Sequence, residues 1–399
     1  MILITNDFHP DVTTNARLLN DVVTEYSNNY GEIEILCSRP RNKISHKFDS
    51  KNIIIKRFWS PNLKRSSVSG RLFNSFFVCF GIFVFLIFKR GSLILVDTTS
   101  PFQGPVVWLA SKFRNHKYIY LATEFYPDAA IALGFIKEKS IIHKLWEISN
   151  KKVYGSASKV IVIGERLKNN VSRYFSNGIE DSKIVVIHNW ADTEKIKPIE
   201  SKKNHFRKNL KLDNKIVILY SGNLGLSHDL STLVDSAKIL INNDKIVFLI
   251  IGEGPQKEKI MSSITKHNLT NIILLPYQSE DILPFSLSSG DFSVVTLNQA
   301  MDQLTVPSKL YPAMAAGQAI IALFSENTDI SDIVKENNAG IVVGQGDHEN
   351  FVREISRLSN NEYLLEEMKK NSRIAVNNKY SRKISVRKYL DLFEREKIT

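Results

Sequence analysis

The chain has 399 residues, 43% of them hydrophobic and 24% charged, a composition typical of a folded globular protein that argues against intrinsic disorder. Its formal net charge of +12 favours an anionic partner: nucleic acid, an anionic membrane or a phosphorylated ligand. The length predicts two domains. The two cysteines, Cys37 and Cys79, form no zinc spacing with histidine, which argues against a disulfide framework or a structural zinc and fits a reducing cytosol.

The first half of the chain alternates β-rich runs with helical stretches. The N-terminal MILIT lacks the basic flank and the long apolar run of a signal peptide, so it predicts a buried strand. Strands are predicted at 1–5, 32–37, 53–58, 92–97, 117–123, 159–164 and 183–188, and helices at 16–27 and 139–157. This βαβ rhythm predicts a parallel sheet with helices on both faces.

One apolar segment, Leu72 to Phe88, approaches the length of a membrane span. Arg71 precedes it, Lys89 and Arg90 follow it, and many of its residues are phenylalanine. Three interpretations stay open: a span, a buried core helix, or a helix partly sunk in the membrane interface. The phenylalanines and the basic ends favour the third.

The second half repeats the rhythm after a polar, basic segment, Asp192 to Lys215, that is predicted to be a linker. Strands are predicted at 216–222, 245–254, 271–277, 292–297, 319–324 and 339–344, and helices at 229–242, 256–268, 306–317 and 330–338. The final segment, 381–399, is predicted to be a basic amphipathic helix. Ligands of doubly wound sheets bind at the carboxyl ends of the strands, so a site is expected in the cleft between two such halves.

The stretch VPSKLYPAMAAG predicts a helix that starts at Pro307, with Thr305 as its cap and Gly317 as its end. Two of its residues are unfavourable in that helix. Lys309 lies in the first turn, where the helix dipole disfavours a cation, and Pro312 lies inside. An anion bound at that end would explain the lysine.

Two glycine-containing loops follow strands in the same half. SGNLGLSHD contains Gly222 and Gly225 with the polar residues Asn223 and His228, and IGEGPQ contains two further glycines, Gly252 and Gly254. Glycine lets the backbone approach a ligand closely. Each loop alone is an ordinary turn, but together with TVPSK they predict a diphosphate site.

In this order and spacing, the motifs resemble the donor half of GT-B glycosyltransferases of family 4: SGNLGLSHDLSTLVDSA, IGEGPQ, PYQ and VPSKLYPAMAAGQAIIAL. VIHNWAD (186–192) and TEFYPDAAIALG (123–134) extend the resemblance, more loosely, over the first half. The similar branch builds bacterial surface polysaccharides and includes L-fucosamine transferases of O-antigen and capsule assembly.

The resemblance implies an α/β GT-B fold of two Rossmann-like, doubly wound domains that face a central cleft. Residues 1–195 would bind the acceptor and include the membrane-associated helix near 72–88. Residues 196–380 would bind the nucleotide sugar, and 381–399 would cross back to the first domain.

The chain departs from the family pattern at several positions. Where the family has an arginine and a lysine that hold the diphosphate, this chain has Asn223 and His228. The family's pair of glutamates would fall at Leu304 and Pro312, so ribose recognition is unassigned. The resemblance therefore implies that phosphate binding moves to Ser308 and Lys309, and that Asp302 and Gln303 bind sugar hydroxyls.

The implied reaction is retaining transfer of a sugar, such as N-acetyl-L-fucosamine, from a UDP-sugar to an undecaprenyl-diphosphate-linked saccharide. No metal cofactor is expected. The catalytic candidates are Lys309, Glu124, Asp128 and His228, of which Glu124 and Asp128 also fit a loop cap or a surface acid. The donor-binding candidates are Gly222, Asn223, Leu224, Gly225, Gly252, Gly254, Tyr277, Gln278, Asp302, Gln303, Val306, Pro307 and Ser308. The acceptor-loop candidates are His9, Thr13, Thr14 and Arg17.

The expected partners are a nucleotide-sugar donor, a lipid-linked saccharide acceptor and an anionic inner-membrane surface, which places the protein in the cytoplasm on the inner face of a bacterial inner membrane. No nucleic-acid motif is present in the sequence. Two other functions stay open. A UDP-sugar 2-epimerase or hydrolase would turn over donor without acceptor, and a non-catalytic scaffold would bind donor without turnover.

Overall fold

The computed structural model describes residues 1–11, 13–40, 51–61, 63, 68–175 and 180–398. They form two compact units. The first comprises Met1–His188 and Ser385–Thr399, and the second comprises Asn189–Ile384. Each unit has its own parallel sheet.

The strands of the first unit are β1 (Ile2–Ile4), β2 (Ile33–Ser38), β3 (Ile53–Phe58), β4 (Leu93–Asp97), β5 (Lys117–Ala122), β6 (Lys159–Val162) and β7 (Ile184–Val186). They form one sheet in the order β3-β2-β1-β4-β5-β6-β7. β2 and β4 are buried along their whole lengths, as expected for parallel strands covered on both faces. The strand order reverses beside β1, which pairs with β2 on one side and β4 on the other.

The helices of the first unit are α1 (Thr14–Tyr30), α2 (Val68–Phe88), α3 (Gln103–Arg114), α4 (Asp128–Ala132), α5 (Ile141–Ser156), α6 (Lys168–Ser172) and α7 (Glu180–Lys183). One side of α2 packs on the unit. A Cβ added at Gly81 would lie 2.6 Å from the Phe58 ring, and the Asn74 amide is hydrogen-bonded to both the N–H and the C=O of Leu63. Within the described residues, Ser69–Phe88 is the one helix long and apolar enough to cross a membrane, by length and composition alone.

The second unit has β8 (Ile216–Ser221), β9 (Ile246–Ile251), β10 (Ile272–Leu275), β11 (Phe292–Thr296), β12 (Ala319–Leu323) and β13 (Gly340–Val343). These strands form a parallel sheet in the order β10-β9-β8-β11-β12-β13. β8 therefore lies between β9 and β11, where the order reverses. The loops after β8 and β11 are at this reversal, which is where doubly wound sheets bind their ligands.

The helices of the second unit are α8 (His205–Asn209), α9 (Ser231–Ile239), α10 (Lys257–His267), α11 (Leu283–Leu287), α12 (Leu310–Ala315), α13 (Asp329–Glu336), α14 (His348–Ser359) and α15 (Glu362–Lys379). Neither α14 nor α15 was predicted from the sequence. Asp347 caps α14 and Asn361 caps α15, each by accepting a backbone N–H bond.

The predicted linker, Asp192 to Lys215, is wrong over part of its length. Asn204 caps α8 by accepting from the Phe206 and Arg207 N–H groups, and its own amide donates to the Phe285 carbonyl. Arg207 is buried and forms an ion pair of 3.1 Å with Asp291. These polar residues therefore belong to the folded second unit.

The helix predicted at 306–317 is also shorter than expected. α12 begins at Leu310 with Lys309 as its N-cap residue, so Pro312 occupies the first turn. The N–H groups of a first turn have no acceptor inside the helix, so proline costs no hydrogen bond there. Val306 and Pro307 lie before the helix and are buried.

The last helix, α16 (Arg382–Ile398), begins in the second unit and continues in the first. In the first unit, Phe393 meets the Tyr26 ring edge-on at 6.0 Å, and the Lys117 ammonium donates to the Glu396 carbonyl at 2.9 Å. Residues from Ser385 onward thus add to the core of the N-terminal part of the chain.

Candidate active site

The loops after β8 and β9 are joined by hydrogen bonds from both backbone and side-chain donors. The Leu224 N–H donates to the Glu253 carbonyl at 2.8 Å. The Gln256 side-chain amide donates to the carbonyls of Gly225 and His228 at 2.6 and 2.9 Å. These bonds tie residues 224–228 to the loop after β9 at the end of the sheet.

The glycines of these loops are required by close packing. A Cβ at Gly252 would overlap the Gly222 carbonyl oxygen. The Asn223 side chain lies between Gly225 and Gly254, with atoms 2.8 Å from the Cβ position of each. The predicted glycine loops are therefore brought together, and Asn223 remains exposed on them.

Lys309 lies directly against the loop after β8. Its Nζ donates to the Tyr220 hydroxyl at 2.6 Å and lies 4.1 Å from the centre of that ring. Gly222 makes room for it, since a Cβ there would be 3.3 Å from Nζ. Removal from water lowers the pKa of Lys309 to about 7. Among the described residues no carboxylate pairs with this amine, so a bound anion would be its natural counter-charge.

His228 was predicted as a catalytic group that supports the leaving phosphate, in the family's lysine position. Removal from water, together with repulsion from Lys309, lowers the pKa of His228 to about 3. The imidazole is therefore neutral at pH 7 in this structure. The prediction is corrected in this respect: His228 can offer a hydrogen bond but not a positive charge.

The prediction that Asp302 binds a sugar hydroxyl does not fit its contacts. Its two oxygens accept from the Ser325 N–H at 2.9 Å and the Gln345 amide at 2.6 Å. The side chain is buried, and loss of hydration raises the pKa of Asp302. Asp302 thus ties the loop after β11 to neighbouring loops, whereas Gln303 beside it is exposed.

The other donor-binding candidates are divided between core and surface. Leu224 points into the core and can offer a ligand only its backbone. Tyr277 is exposed and its hydroxyl lies 3.5 Å from the Glu253 carbonyl, while the Gln278 amide donates to the Pro276 carbonyl. Ser308, half-buried, immediately precedes Lys309.

In the first unit, Glu124 follows β5 and accepts a hydrogen bond of 2.8 Å from the Tyr126 hydroxyl. Partial loss of hydration raises the pKa of the Glu124 carboxyl, and the residue as a whole is exposed. Asp128 has a different environment, because the Arg173 guanidinium binds both of its oxygens. This ion pair competes with the predicted role of Asp128 in orienting an acceptor hydroxyl, which stays a prediction.

The acceptor-loop candidates lie between β1 and the first turn of α1. Thr13 caps α1 by accepting from the Ala16 N–H, and Thr14 and Arg17 are exposed. The Arg57 guanidinium donates to the His9 carbonyl at 2.6 Å. The Thr13 hydroxyl oxygen is therefore engaged as a helix cap, while its predicted role in the acceptor loop stays untested.

Asp97, which sequence reasoning missed, fixes this loop. At the end of β4, it accepts bonds from the Thr5 hydroxyl at 2.6 Å, the Asn15 amide at 2.7 Å and the Thr99 hydroxyl at 2.5 Å. Full burial raises the pKa of Asp97 to about 6. Its position after an apolar strand, next to TTS, was the available signal.

Tyr220 and Gln256 were missed as well. Tyr220 reads as an ordinary core residue of a strand, and its hydroxyl donates to the Asn223 carbonyl at 2.7 Å while it accepts from Lys309. No sequence signal distinguishes it from its apolar neighbours.

As for metals, the described residues contain no group of three or more His, Cys, Asp or Glu side chains placed to hold an ion.

Residues 201–375 match the family model described as "Glycosyl transferases group 1". This segment holds the glycine loops and Lys309. It is similar to that family, and the match covers less than half of the chain.

Two curated relatives extend the similarity. "Probable glycosyltransferase WbjE" of Pseudomonas aeruginosa is 27% identical over 260 residues, 63% of this chain and 62% of the relative. WcaI of Escherichia coli (strain K12), named as a colanic acid biosynthesis glycosyl transferase, is 24% identical over 244 residues, 61% of this chain and 59% of the relative. The chain thus spans about three fifths of the length of these relatives.

Solved structures share the fold over nearly the whole chain. The sucrose-phosphate synthase of Thermosynechococcus elongatus superposes with a TM-score of 0.80 at 15% identity, covering 99% of this chain and 98% of its own. Anabaena HepE, in complex with UDP and glucose, gives 0.76 at 12% identity and covers 99% and 100%. The predicted α/β GT-B fold, with two Rossmann-like parallel-sheet domains, is confirmed.

Proposed function

We propose that this protein is a glycosyltransferase that moves a sugar from a UDP-sugar to a saccharide acceptor in the assembly of a bacterial surface polysaccharide. The observation that carries the proposal is the Lys309 amine, which lies against the glycine loop and has no acidic partner among the described residues. The match of residues 201–375 to a glycosyltransferase family and the names of WbjE and WcaI support the activity. The name of WcaI supports the polysaccharide assignment.

UDP is the proposed nucleotide because HepE, which has this fold, was solved with UDP and glucose. The diphosphate lies beside Lys309, whose ammonium supplies one positive charge, with the Ser308 hydroxyl next to it. Gly222 and Gly225 let the backbone approach the phosphate oxygens. Binding of the anion raises the pKa of Lys309 back towards its ordinary value, so the amine is protonated in the complex. With this cation in place, the donor site requires no metal cofactor.

In the proposed reaction the bond between the anomeric carbon and the β-phosphate oxygen breaks, and its electron pair leaves with UDP. The acceptor oxygen forms the new bond on the same face of the sugar, so configuration is retained. Lys309 stabilises the charge on the departing phosphate, and neutral His228 contributes a hydrogen bond. The leaving phosphate oxygen takes the acceptor proton, and Glu124 orients the acceptor hydroxyl.

We assign the donor sugar to the N-acetylated amino sugars, such as N-acetyl-L-fucosamine, and the acceptor to saccharides linked to undecaprenyl diphosphate. The motifs from SGNLGLSHD to VPSKLYPAMAAG support this assignment, because they resemble the L-fucosamine transferase branch. A lipid-linked acceptor requires the enzyme to work at the cytoplasmic face of the inner membrane.

Helix α2 supports membrane association. Phe73, Phe76 and Phe80 are exposed on one side of it, while Val78 and Ile82 on the other side are buried in the unit. A helix whose inner side is packed on its own domain is suited to lie in the membrane interface rather than to span it. The net charge of +12 favours an anionic surface.

The test is transfer from a UDP-sugar to undecaprenyl-diphosphate-linked saccharide in detergent, followed as UDP release. Lys309→Met should lower turnover by about a hundredfold, as when an oxyanion-stabilising donor is lost. Lys257→Met is the matched control, because Lys257 lies beside the same loops but is already paired with Glu253 at 2.7 Å. Equal activity of both variants would contradict the proposal. UDP release without acceptor would indicate a hydrolase, and donor binding without turnover a scaffold.

A further inference from the structure

The outer side of α5 is apolar and exposed. Ile141, Leu145 and Ile148 lie at positions i, i+4 and i+7, so they share one stripe along the helix. They are 78%, 61% and 55% exposed. The inner side of the helix, with Val153 and Tyr154, is buried in the unit. Isolated exposed apolar residues are normal, but a continuous stripe of them marks an interaction surface.

Helix α3 lies between α2 and α5 and carries exposed apolar residues of its own. Leu109 and Phe113 are one turn apart on it, and Phe113 is 64% exposed. Its last turn also contains two basic residues, Lys112 and Arg114. The helix therefore continues the apolar surface from one neighbour to the other.

Two contacts join the three helices at their outer sides. The Phe76 ring of α2 meets the Phe102 ring, at the start of α3, edge-on at 6.2 Å. The Lys152 ammonium of α5 lies 5.2 Å from the Trp108 ring of α3. The three helices therefore lie side by side, and their exposed apolar residues are together called the apolar helix face: Phe73, Phe80, Phe113, Ile141, Leu145 and Ile148.

The charge around this face is basic. The sequences of α2 and α3 contain no acidic residue, and α5 contains one, Glu147. Glu147 is occupied, since it accepts from the Tyr174 hydroxyl at 2.8 Å and from Arg173 at 3.3 Å. Lys144 and Lys151 are exposed on α5 beside the stripe of Ile141, Leu145 and Ile148. An apolar centre with basic neighbours complements a lipid surface with anionic headgroups.

We propose that the apolar helix face docks as a whole on an anionic membrane surface. Helix α5 inserts Ile141, Leu145 and Ile148 into the membrane alongside α2. This rests on the membrane association in the proposed function and adds a second inserting helix to it. A second copy of the chain fits the face less well. A two-fold interface over this basic face would bring lysines such as Lys144 and Lys151 close to their counterparts.

The test is flotation with vesicles of phosphatidylethanolamine and phosphatidylglycerol. The variant Ile141→Ser, Leu145→Ser, Ile148→Ser should lower the partition coefficient about tenfold or more, because three apolar side chains no longer insert. The matched control is Ile239→Ser with Ile374→Ser, which removes exposed isoleucines from the second unit. That control should bind vesicles like the unaltered protein.

The outcomes test membrane docking separately from UDP binding at the donor site. Unchanged vesicle binding by the α5 variant overturns the proposal, as does equal binding to neutral phosphatidylcholine vesicles. If sedimentation velocity instead shows that the variant breaks a dimer while vesicle binding is unchanged, a second copy covers the face. The UDP-induced rise in melting temperature should be the same in all variants. If this UDP-induced rise is present but neither the unaltered protein nor any variant binds vesicles, the docking proposal is wrong and the donor-site proposal is unaffected.

Discussion

At the scale of single residues, the proposed function depends on the Lys309 amine, which is kept from water. Lys309 was predicted to bind an anion because a lysine is unfavourable in the first turn of a helix. In the structure the position of Lys309 has a different physical basis, and anion binding stays a prediction. Lys309 precedes α12, and its pKa falls to about 7 because Tyr220 and the glycine loop exclude water from it. Tyr220 was not predictable, since its sequence context is that of a buried strand.

The lowered pKa of Lys309 predicts how donor binding depends on pH. The protonated amine binds the diphosphate, and the fraction protonated in the free protein falls as the pH rises through about 7. Affinity for UDP should therefore fall about tenfold or more between pH 7 and pH 9, because the loss of the ammonium outweighs the last part of the phosphate ionisation, whose pKa is about 6. Isothermal titration calorimetry at several pH values measures this. A flat profile for the unaltered protein, or the same slope in Lys309→Met, would show that another group governs binding.

Gly222 offers an independent test of the same contact. Its φ is 150°, and a Cβ would lie 3.3 and 3.4 Å from the Lys309 Nζ and Cε. Gly222→Ala should therefore displace the amine and weaken UDP binding by about tenfold, with a stability cost of about 1 kcal/mol. Gly346→Ala is the control, since Gly346 has φ 82° but open space around its Cβ position. If both variants bind UDP like the unaltered protein, Gly222 is not needed for the position of Lys309.

At the scale of elements, the sequence predicts those strands and helices whose apolar residues follow a regular pattern. The strand runs gave the parallel strands of both sheets, because buried strands are continuously apolar. The segment Asp192 to Lys215 is polar and lacks such an apolar run, and it was therefore predicted to be a linker. Composition does not reveal that Asn204 caps α8 or that Arg207 is buried against Asp291. Buried polar networks depend on tertiary partners that are distant in sequence.

The buried network around Arg207 predicts a large effect on stability. Arg207 donates to the carbonyls of Leu212 and Ser289 at 3.2 and 2.9 Å, besides its pair with Asp291. Arg207→Met should destabilise the second unit by about 1–3 kcal/mol, because the buried carbonyls of Leu212 and Ser289 lose their donor, whereas Asp291 keeps Lys369 as a partner at 3.1 Å. Urea denaturation measures this against Lys208→Met, an exposed neighbour on α8. Equal stability of the two variants would show that residues 204–212 are a linker after all.

At the scale of the whole molecule, the GT-B fold was predictable from the sequence. The contacts of the candidate site residues were only partly predictable. Two βαβ series in one chain predict two doubly wound sheets. The glycine loops and Lys309 were found from motifs and do meet in the second unit. Asp128 and Asp302 already have partners, because Arg173 and Gln345 bind their oxygens, and a sequence does not show such partners. Their predicted roles stay untested.

The central claim is that Lys309 and the glycine loop bind the diphosphate of a UDP-sugar without a metal. The most direct measurement is a thermal-shift titration with UDP in the presence of EDTA, on the unaltered protein and on Lys309→Met. UDP should raise the melting temperature of the unaltered protein by mass action, and EDTA should not change that rise. The Met variant should melt no lower without ligand, because burying the amine lowers its pKa and costs stability at pH 7. It should lose most of the UDP response. No response in the unaltered protein, or an equal response in both, would contradict the claim.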